Sequence, residues 1–299
     1  MNLNKKTLSF TIACLLGTSA LQANAAIIDL QIDAQGTASA YGSSPLTNTD
    51  SGTTDVSVYT SVNGEVASAY SSASGESDGS FYSSSASYDY ASATSSVKQT
   101  YTVTNDTSED QFFDFSFDVV AGSLESMCGN SSDDNPYGIN ENGYGSDTCE
   151  DTGFASASYM AEILFNGLSV WDSAVSMSLD STGLTYVTSG TELSPVDTDS
   201  NTYYWSDSSF NIDLGLVAAG SDFTVEYILT TQAESFTSEE FNIYTQGRAQ
   251  FGDPSGFGTT NVSFDTTAAT TPTSVPVPAT LALLGLGLVG FRISKRKAQ

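Results

Sequence analysis

The chain of 299 residues contains no histidine, and this absence excludes several kinds of catalytic site. Ser-His-Asp and Cys-His catalytic groups need an imidazole to carry a proton, and a His-ligated zinc site needs one to hold the metal. No glycine-rich loop followed by a lysine is present to bind phosphates. Paired carboxylates, as in glycoside hydrolases, remain as an alternative, but no particular pair stands out. We therefore predict that the protein is not an enzyme.

Basic residues are also scarce. Between residues 27 and 274 the only cations are Lys98 and Arg248, whereas all 35 Asp and Glu lie there, which gives a formal charge of −33. Such a surface repels nucleic acids and anionic lipids, so no nucleic-acid partner is expected. The simplest role of the acidity is to keep an exported protein soluble. A protein that works in salt or divalent cations, which screen charges beyond ~8 Å, is the alternative.

The N-terminus has the features of a secretory signal peptide, residues 1–26. Two lysines precede an apolar stretch, residues 8–21, and the small residues of 23–26 follow it. A positive region, an apolar region and a small-residue site are what signal peptidase recognises. We expect cleavage after Ala25 or Ala26.

Cysteine is rare, and one of the three, Cys14, should leave with the signal peptide. Cys128 and Cys149 remain, 21 positions apart, in a chain that is expected to enter an oxidising compartment. Such a pair predicts a disulfide rather than a metal site, because no histidine is present to complete one. Closing this loop would contribute about 3 kcal/mol in the chain-entropy model.

Helical periodicity is absent from the predicted mature region, where apolar residues instead alternate with polar ones. This period of two predicts antiparallel strands with one buried face. The clearest examples are the runs Phe113, Phe115, Phe117, Val119 and Phe223, Val225, Tyr227, Leu229. We predict an all-β protein, an antiparallel β-sandwich of the immunoglobulin-like or jelly-roll-like type, with its body at residues 97–267.

Two Asn-Gly pairs, Asn63-Gly64 and Asn166-Gly167, lie between alternating arms. Both residues of such a pair accept positive φ, so each predicts a tight hairpin turn. The first pair lies in a segment rich in Ser, Ala and Tyr, residues 27–96. We predict strands here, with Tyr82, Tyr88 and Tyr90 on one face and small residues that allow close sheet stacking. A flexible, glycosylated stalk is the alternative.

Residues 129–153 form a predicted acidic loop that the disulfide would close. Its carboxylate and amide oxygens are of the kind that calcium binds. The candidate ligands are Asp133, Asp134, Asn135 and Asp147. The spacing is not that of an EF-hand, and solvated loop acids are the simpler interpretation. No other cofactor is indicated.

Aromatic residues suggest two sites for carbohydrate stacking. The first is formed by Trp171, Tyr203, Tyr204 and Trp205, and the second is the tyrosine-rich face near Tyr88. The competing interpretation, that the tryptophans belong to the core, is the usual case in sandwiches.

The C-terminus has three parts that follow a Thr/Pro linker, residues 268–274. A proline-punctuated motif precedes an apolar run, residues 279–291, and a basic cluster follows it. That run is shorter than the roughly 20 residues of a comfortable bilayer span, and its glycines weaken a helix. The residues of the motif and the cluster are Val275, Pro276, Val277, Pro278, Ala279, Arg292, Lys295, Arg296 and Lys297.

Residues 275–297 resemble the PEP-CTERM sorting signal of Gram-negative surface proteins, although Val277 replaces the usual glutamate between the two prolines. The resemblance implies recognition and removal by an exosortase-type membrane enzyme, with residues 279–293 as a transient transmembrane segment. The basic cluster would stay cytoplasmic. A simple C-terminal membrane anchor is the alternative.

The resemblance implies export across the inner membrane to the cell surface or extracellular matrix, in association with exopolysaccharide or biofilm. We therefore expect a structural or adhesive protein. A glycan- or calcium-binding module on the same scaffold is the second hypothesis, and a carboxylate-based glycoside hydrolase is the third.

Overall fold

A computed structural model of the protein describes residues 26–130, 149, 153–193, 195–197, 201–237, 243–252 and 263–268, and their regular structure is entirely β-strand. Within these ranges we find no helix of the length and apolarity that a membrane span requires. In chain order the strands are β1 (Ala26–Ala40), β2 (Leu46–Gly52), β3 (Val56–Asn63), β4 (Ser68–Gly75), β5 (Phe81–Tyr88), β6 (Ala91–Thr104), β7 (Gln111–Val119), β8 (Gly122–Asn130), β9 (Phe154–Phe165), β10 (Leu168–Asp180), β11 (Gly183–Gly190), β12 (Pro195–Asp197), β13 (Thr202–Trp205), β14 (Ser208–Val217), β15 (Asp222–Phe236), β16 (Ile243–Phe251) and β17 (Ser263–Ala268).

The described strands pair antiparallel and form three sheets. Sheet A has the order β11-β10-β9-β15-β6-β1-β2, sheet B has β12-β13-β8-β16-β5-β4-β3, and sheet C has β14-β7-β17. Sheets A and B lie face to face, which confirms the prediction of an all-β antiparallel sandwich. The immunoglobulin-like or jelly-roll-like type stays a prediction. Residues 1–25 of the predicted signal peptide and the predicted sorting helix lie outside the described residues.

Alternation of apolar and polar residues decides which side of each strand is buried. Phe223, Val225, Tyr227 and Leu229 on β15 are buried, and so is the run of β7 that begins at Phe113. Sheet C packs on the inner face of sheet A, where the ring of Phe113 lies 4.9 Å from that of Phe223. The large aromatic side chains therefore fill one end of the sandwich, as their spacing predicts.

Small side chains fill the other end, where the two sheets come close together. A Cβ on Gly247 of β16 would overlap the Ser156 carbonyl oxygen of β9 and lie 3.0 Å from the Glu234 carbonyl oxygen of β15. A Cβ on Gly36 would lie 2.6 Å from Ser71 Oγ. The Ser- and Ala-rich strands thus belong to the sandwich. Strand β6 continues without a break across residues 96 and 97, where the Ser- and Ala-rich segment was predicted to meet the sandwich body.

Hydroxyl groups replace apolar side chains in the layer between these strands. The Ser83 hydroxyl of β5 lies 2.9 Å from that of Thr231 on β15, and Ser85 donates to the Thr231 carbonyl oxygen at 3.0 Å. All three side chains are fully buried. Hydrogen bonds between the sheets therefore compensate for the burial of these three hydroxyls.

The hairpin at Asn166-Gly167 confirms its prediction. Strand β9 ends at Phe165, β10 begins at Leu168, and the two turn residues have φ of 50° and 78°. Both values lie in the left-handed region that this kind of turn needs.

The hairpin of β3 and β4 exists, but its predicted two-residue turn at Asn63-Gly64 is wrong. Asn63 pairs with Ser68 as part of β3, and four residues close the loop, in which Gly64 N–H donates to the Ala67 carbonyl at 2.8 Å. Gly64 is needed because a Cβ there would overlap the Tyr41 carbonyl oxygen. Close backbone approach, rather than positive φ, explains this glycine.

The predicted common face of the three tyrosines holds for only two of them. Tyr82 and Tyr88 share the outer face of β5, but the chain turns at Asp89, which has φ of 61°. Tyr90 lies beyond this turn and packs against Tyr41 and Phe236, with ring centroids 5.1 Å and 4.9 Å away. The chain changes direction between β5 and β6, and this turn separates Tyr90 from the other two tyrosines. The alternation of residues does not predict such a turn.

Candidate functional site

The outer face of sheet B carries a diagonal row of three tyrosines. The ring of Tyr88 on β5 lies 6.1 Å from that of Tyr70 on β4 and 6.2 Å from that of Tyr244 on β16. Each of the three is partly exposed. We call the outer surface formed by Tyr70, Tyr88, Tyr244, Gln246, Arg248, Gln250 and Glu125 the tyrosine face.

Strand register explains why these side chains meet. Arg248 pairs with Ala86 of β5 on one side and with Glu125 of β8 on the other, and Ala86 also pairs with Tyr70. Strands lie about 4.8 Å apart, so Tyr70 and Arg248 flank the small Ala86 at about 10 Å across the sheet. Large side chains therefore rise on both sides of a small one.

The polar atoms of the tyrosine face are connected by hydrogen bonds. The hydroxyls of Tyr70 and Tyr88 lie 3.4 Å apart, and Tyr244 donates its hydroxyl to Gln246 Oε1 at 2.6 Å. Arg248 Nη2 donates to Gln250 Oε1 at 3.1 Å. Arg248 Nε is buried without a hydrogen-bond partner among the described residues. The face thus holds its rings and its guanidinium in fixed positions.

Charge is nearly absent from this surface although the chain is strongly acidic. Strands β3, β4, β5, β8, β13 and β16 contain only two charged residues, Glu125 and Arg248, which are paired in register. In the described part of the chain, neither of them takes part in a salt bridge within 4.0 Å. The tyrosine face therefore carries a formal charge of zero, whereas the predicted mature region as a whole has a formal charge of −33.

Burial raises the pKa of the Tyr88 phenol well above its usual value, and its hydrogen bond with the Tyr70 hydroxyl raises the pKa further. Arg248 opposes this effect, while Glu125 adds to it. Burial likewise raises the pKa of Tyr244. Both phenols stay protonated in the physiological range and can donate hydrogen bonds.

Flat rings beside amide, guanidinium and hydroxyl groups suit a ligand that is apolar on one side and polar at its rim. Tyrosine combines an apolar body with a polar tip, which makes it common at such surfaces.

A second surface feature, a shallow groove of about 510 Å³ on the outer face of sheet A, has a different character. Its lining includes Asp33, Asp50 and Lys98. The Lys98 ammonium lies 4.0 Å from an Asp33 oxygen, so the cation of this groove already has an acidic neighbour. Exposed pairs of this kind contribute little, and the groove offers no aromatic surface.

Of the two predicted aromatic sites, the structure excludes the first. Trp171, Trp205 and Tyr203 are buried, and Trp205 Nε1 donates to the Val120 carbonyl at 3.1 Å within the core. Tyr204 alone is exposed, at the edge of sheet B. The residues of the second candidate, near Tyr88, are partly exposed and belong to the tyrosine face, and carbohydrate binding there stays a prediction.

Sequence reasoning missed Arg248, Gln246 and Gln250 as members of this face. Their signal was the alternation of β16, in which Tyr244, Gln246, Arg248 and Gln250 share one side. Nothing in the sequence placed β16 beside β5, because 155 or more residues separate them.

The structure joins Cys128 of β8 and Cys149 in a disulfide, with Cα atoms 5.2 Å apart. In the sequence the two cysteines flank residues 131–148, which lie outside the described residues. The predicted calcium ligands, Asp133, Asp134, Asn135 and Asp147, lie outside the described residues, so that site stays a prediction. Within the described ranges, no three acidic or cysteine side chains are grouped as a metal site requires.

Comparison with known proteins concerns the C-terminal end, which also lies outside the described residues. A search of curated proteins found no match to the chain. Residues 274–297 match the family model described as the PEP-CTERM protein-sorting motif. The matched range includes all of the predicted sorting residues, from Val275 to Lys297. The chain therefore carries a PEP-CTERM sorting motif at its C-terminal end, which marks it for export and for sorting by an exosortase-type membrane enzyme of Gram-negative bacteria.

Proposed function

We propose that the protein is a structural or adhesive component of the extracellular polysaccharide matrix, and that exosortase sorting delivers the protein to this matrix. The observation that carries this proposal is the sorting motif at residues 274–297 on a chain whose described part is an antiparallel β-sandwich. Signal peptidase removes residues 1–26 at the start of this route. The destination is the cell surface or the surrounding matrix.

The role is non-catalytic in this proposal. Support comes from the absence of histidine in the whole chain and from the tyrosine face, which has binding groups but no nucleophile with an adjacent base. Calcium binding by the acidic loop, residues 129–153, is a secondary proposal. It rests on the oxygen-rich composition of that loop alone.

Deletion of residues 275–299 tests the sorting step in the producing bacterium. We expect the shortened protein to appear in the medium, or unprocessed in the cell, instead of on the surface, as measured by surface labelling and fractionation. Unchanged surface display would contradict the proposal.

A second variant separates sorting from simple anchoring. Pro276→Ala with Pro278→Ala alters the motif but leaves the apolar run and the basic cluster in place. If the tail is only an anchor, this variant stays in the membrane as the unaltered protein would. If the tail is a sorting signal, the unprocessed full-length form accumulates in the inner membrane and the mature form disappears.

A further inference from the structure

We infer that the tyrosine face of sheet B binds a neutral polysaccharide chain. This inference rests on the proposed function, since it names the matrix component that the protein contacts. It assigns the contact to three partly exposed rings, Tyr70, Tyr88 and Tyr244, and to the polar groups beside them.

The rings supply the apolar part of the contact. A sugar ring has faces of C–H groups and a rim of hydroxyls, and aromatic side chains cover such faces when they are held in place. Tyr88 is held between Tyr70 and Tyr244 by ring contacts and by the 3.4 Å approach of the Tyr70 hydroxyl. Rigid aromatic groups lose little conformational entropy on binding, which favours affinity.

The hydroxyl rim of a sugar needs hydrogen-bonding groups beside the rings. Arg248 has five N–H donors, and one direct hydrogen bond accounts for only its Nη2 group, at Gln250. Glu125, directly opposite Arg248 in register, adds an acceptor. One donor group and one acceptor thus lie beside the tyrosine row, where the hydroxyls of a sugar need both.

Charge decides between a neutral and an acidic polysaccharide. The strands of the tyrosine face carry one acid and one base, whereas the predicted mature region as a whole has a formal charge of −33. A polyanion on this face would be repelled by the net negative charge of the protein. Arg248 cannot offset this repulsion, because Glu125 already balances it. A neutral polysaccharide is not subject to this repulsion.

Binding to purified protein recovered from the producing cells tests the inference. The probes are dextran and an insoluble β-glucan as neutral polysaccharides, and alginate as a polyuronate. We expect binding to at least one neutral probe, with an affinity that changes less than twofold between 0.1 M and 1 M salt. Screening shortens from about 10 Å to 3 Å over this range, so charge-driven binding would weaken.

Two substitutions locate the site. Tyr70→Ser replaces a ring on a strand that is otherwise serine, alanine and one glycine, and we expect at least tenfold weaker binding. Tyr70→Phe keeps the ring and should bind within about threefold of the unaltered protein. Tyr186→Ser, on β11 at the far edge of sheet A, is the matched control and should bind as the unaltered protein does. Thermal unfolding of each variant shows that the fold is intact.

Four results would overturn the inference. They are binding to no neutral probe, binding to alginate alone, equal loss in the Tyr70→Ser and Tyr186→Ser proteins, and self-association that the Tyr70→Ser change abolishes. The last result would assign the face to a second copy of the chain. If surface display still depends on residues 275–299 in any of these cases, the sorting proposal survives and only the glycan assignment fails.

Discussion

Ser83 and Thr231 lie 148 positions apart in the chain, and their hydroxyl oxygens are 2.9 Å apart between the two sheets. The Ser85 hydroxyl is 3.0 Å from the same Thr231 hydroxyl. This contact joins the Ser-rich strands to the strand at the centre of sheet A. It gives a structural reason for serine inside a sandwich, because paired hydroxyls fit where sheets are too close for large apolar side chains.

Replacing Thr231 by valine keeps the size of the side chain but removes its hydroxyl. Ser83 and Ser85 then lose a buried partner, and the free energy of unfolding should fall by about 1–3 kcal/mol. Denaturant titration measures this change. Thr188→Val, on exposed strand β11, is the control and should stay within about 0.5 kcal/mol of the unaltered protein. Equal effects of the two changes would contradict our account of the interior.

Close sheet approach at Gly247 predicts that Gly247→Ala destabilises the protein. The added methyl group would overlap the Ser156 carbonyl, and backbone cannot yield as a side chain can. We expect a loss of about 1–3 kcal/mol or more. At Gly52, a Cβ would lie 3.3 Å from a methyl group of Val56 and 3.9 Å from the Thr54 backbone nitrogen, so Gly52→Ala should cost much less. Thermal melts of both proteins provide the comparison, and similar melting temperatures would refute it.

The turn at Asn166-Gly167 makes a different prediction, because Gly167 has open space around it but φ of 78°. Gly167→Ala should cost about 1–2 kcal/mol from backbone strain alone. Asn adopts positive φ more easily, so Gly167→Asn should recover part of this loss. Urea unfolding distinguishes the two variants. A Gly167→Asn protein less stable than Gly167→Ala would show that φ is not the cause.

These turns illustrate how far the sequence predicts the fold. Alternation identified the buried sides of β7 and β15, and the local chemistry of Asn166-Gly167 fixed its turn, because both depend on neighbours in sequence. The same dipeptide at Asn63-Gly64 failed, since the backbone of Tyr41, in the turn after β1, occupies the space beside Gly64. Contacts between distant strands decide such cases, and the pattern of one segment does not contain them.

Prediction of the candidate site from the sequence is limited in the same way. Tyr88 could be singled out from its strand, but its partners Tyr244 and Arg248 come from β16 and depend on sheet order. Trp171 and Trp205 belonged to the other candidate site for carbohydrate stacking, and both are buried. Residue type predicted the chemistry, while exposure depended on which strands pair.

We predict that Asp89 makes the stability of the protein depend on pH. Burial raises the pKa of its carboxyl, and the hydrogen bond that Thr245 N–H donates only partly opposes this. The folded state therefore holds this proton more tightly than the unfolded chain, and the group costs stability as the pH rises above 3.8. Asp89→Asn should be more stable than the unaltered protein at pH 7, and the difference should vanish as the pH falls to 3.8.

Asp180 supplies the control of opposite sign, because hydrogen bonds from Thr182 lower the pKa of its carboxyl. Its stabilising contribution is present above pH 3.8 and is lost as the pH falls through the lowered value. Asp180→Asn should therefore be less stable at pH 7. Melting temperatures against pH test both variants. Shifts of the same sign at pH 7 would contradict these assignments.

Loss of the Cys128–Cys149 disulfide should destabilise the sandwich by about 3 kcal/mol, because the bridge closes a loop of 21 positions in the unfolded chain. This corresponds to a fall in melting temperature of about 6–12 °C for a domain of this size. Calorimetry of the Cys128→Ser, Cys149→Ser protein measures it. Reductant should lower the melting temperature of the unaltered protein only; an equal fall in the double variant would point to another cause.

The central claim, that the C-terminal segment is a removable sorting signal, is tested most directly by the intact mass of the protein recovered from its own cells. We predict a product that begins at Ala26 or Ile27 and has lost the basic cluster Lys295-Arg296-Lys297, with a mass that also reports the disulfide and any attached sugar. A mature product that still ends with this cluster would contradict the account.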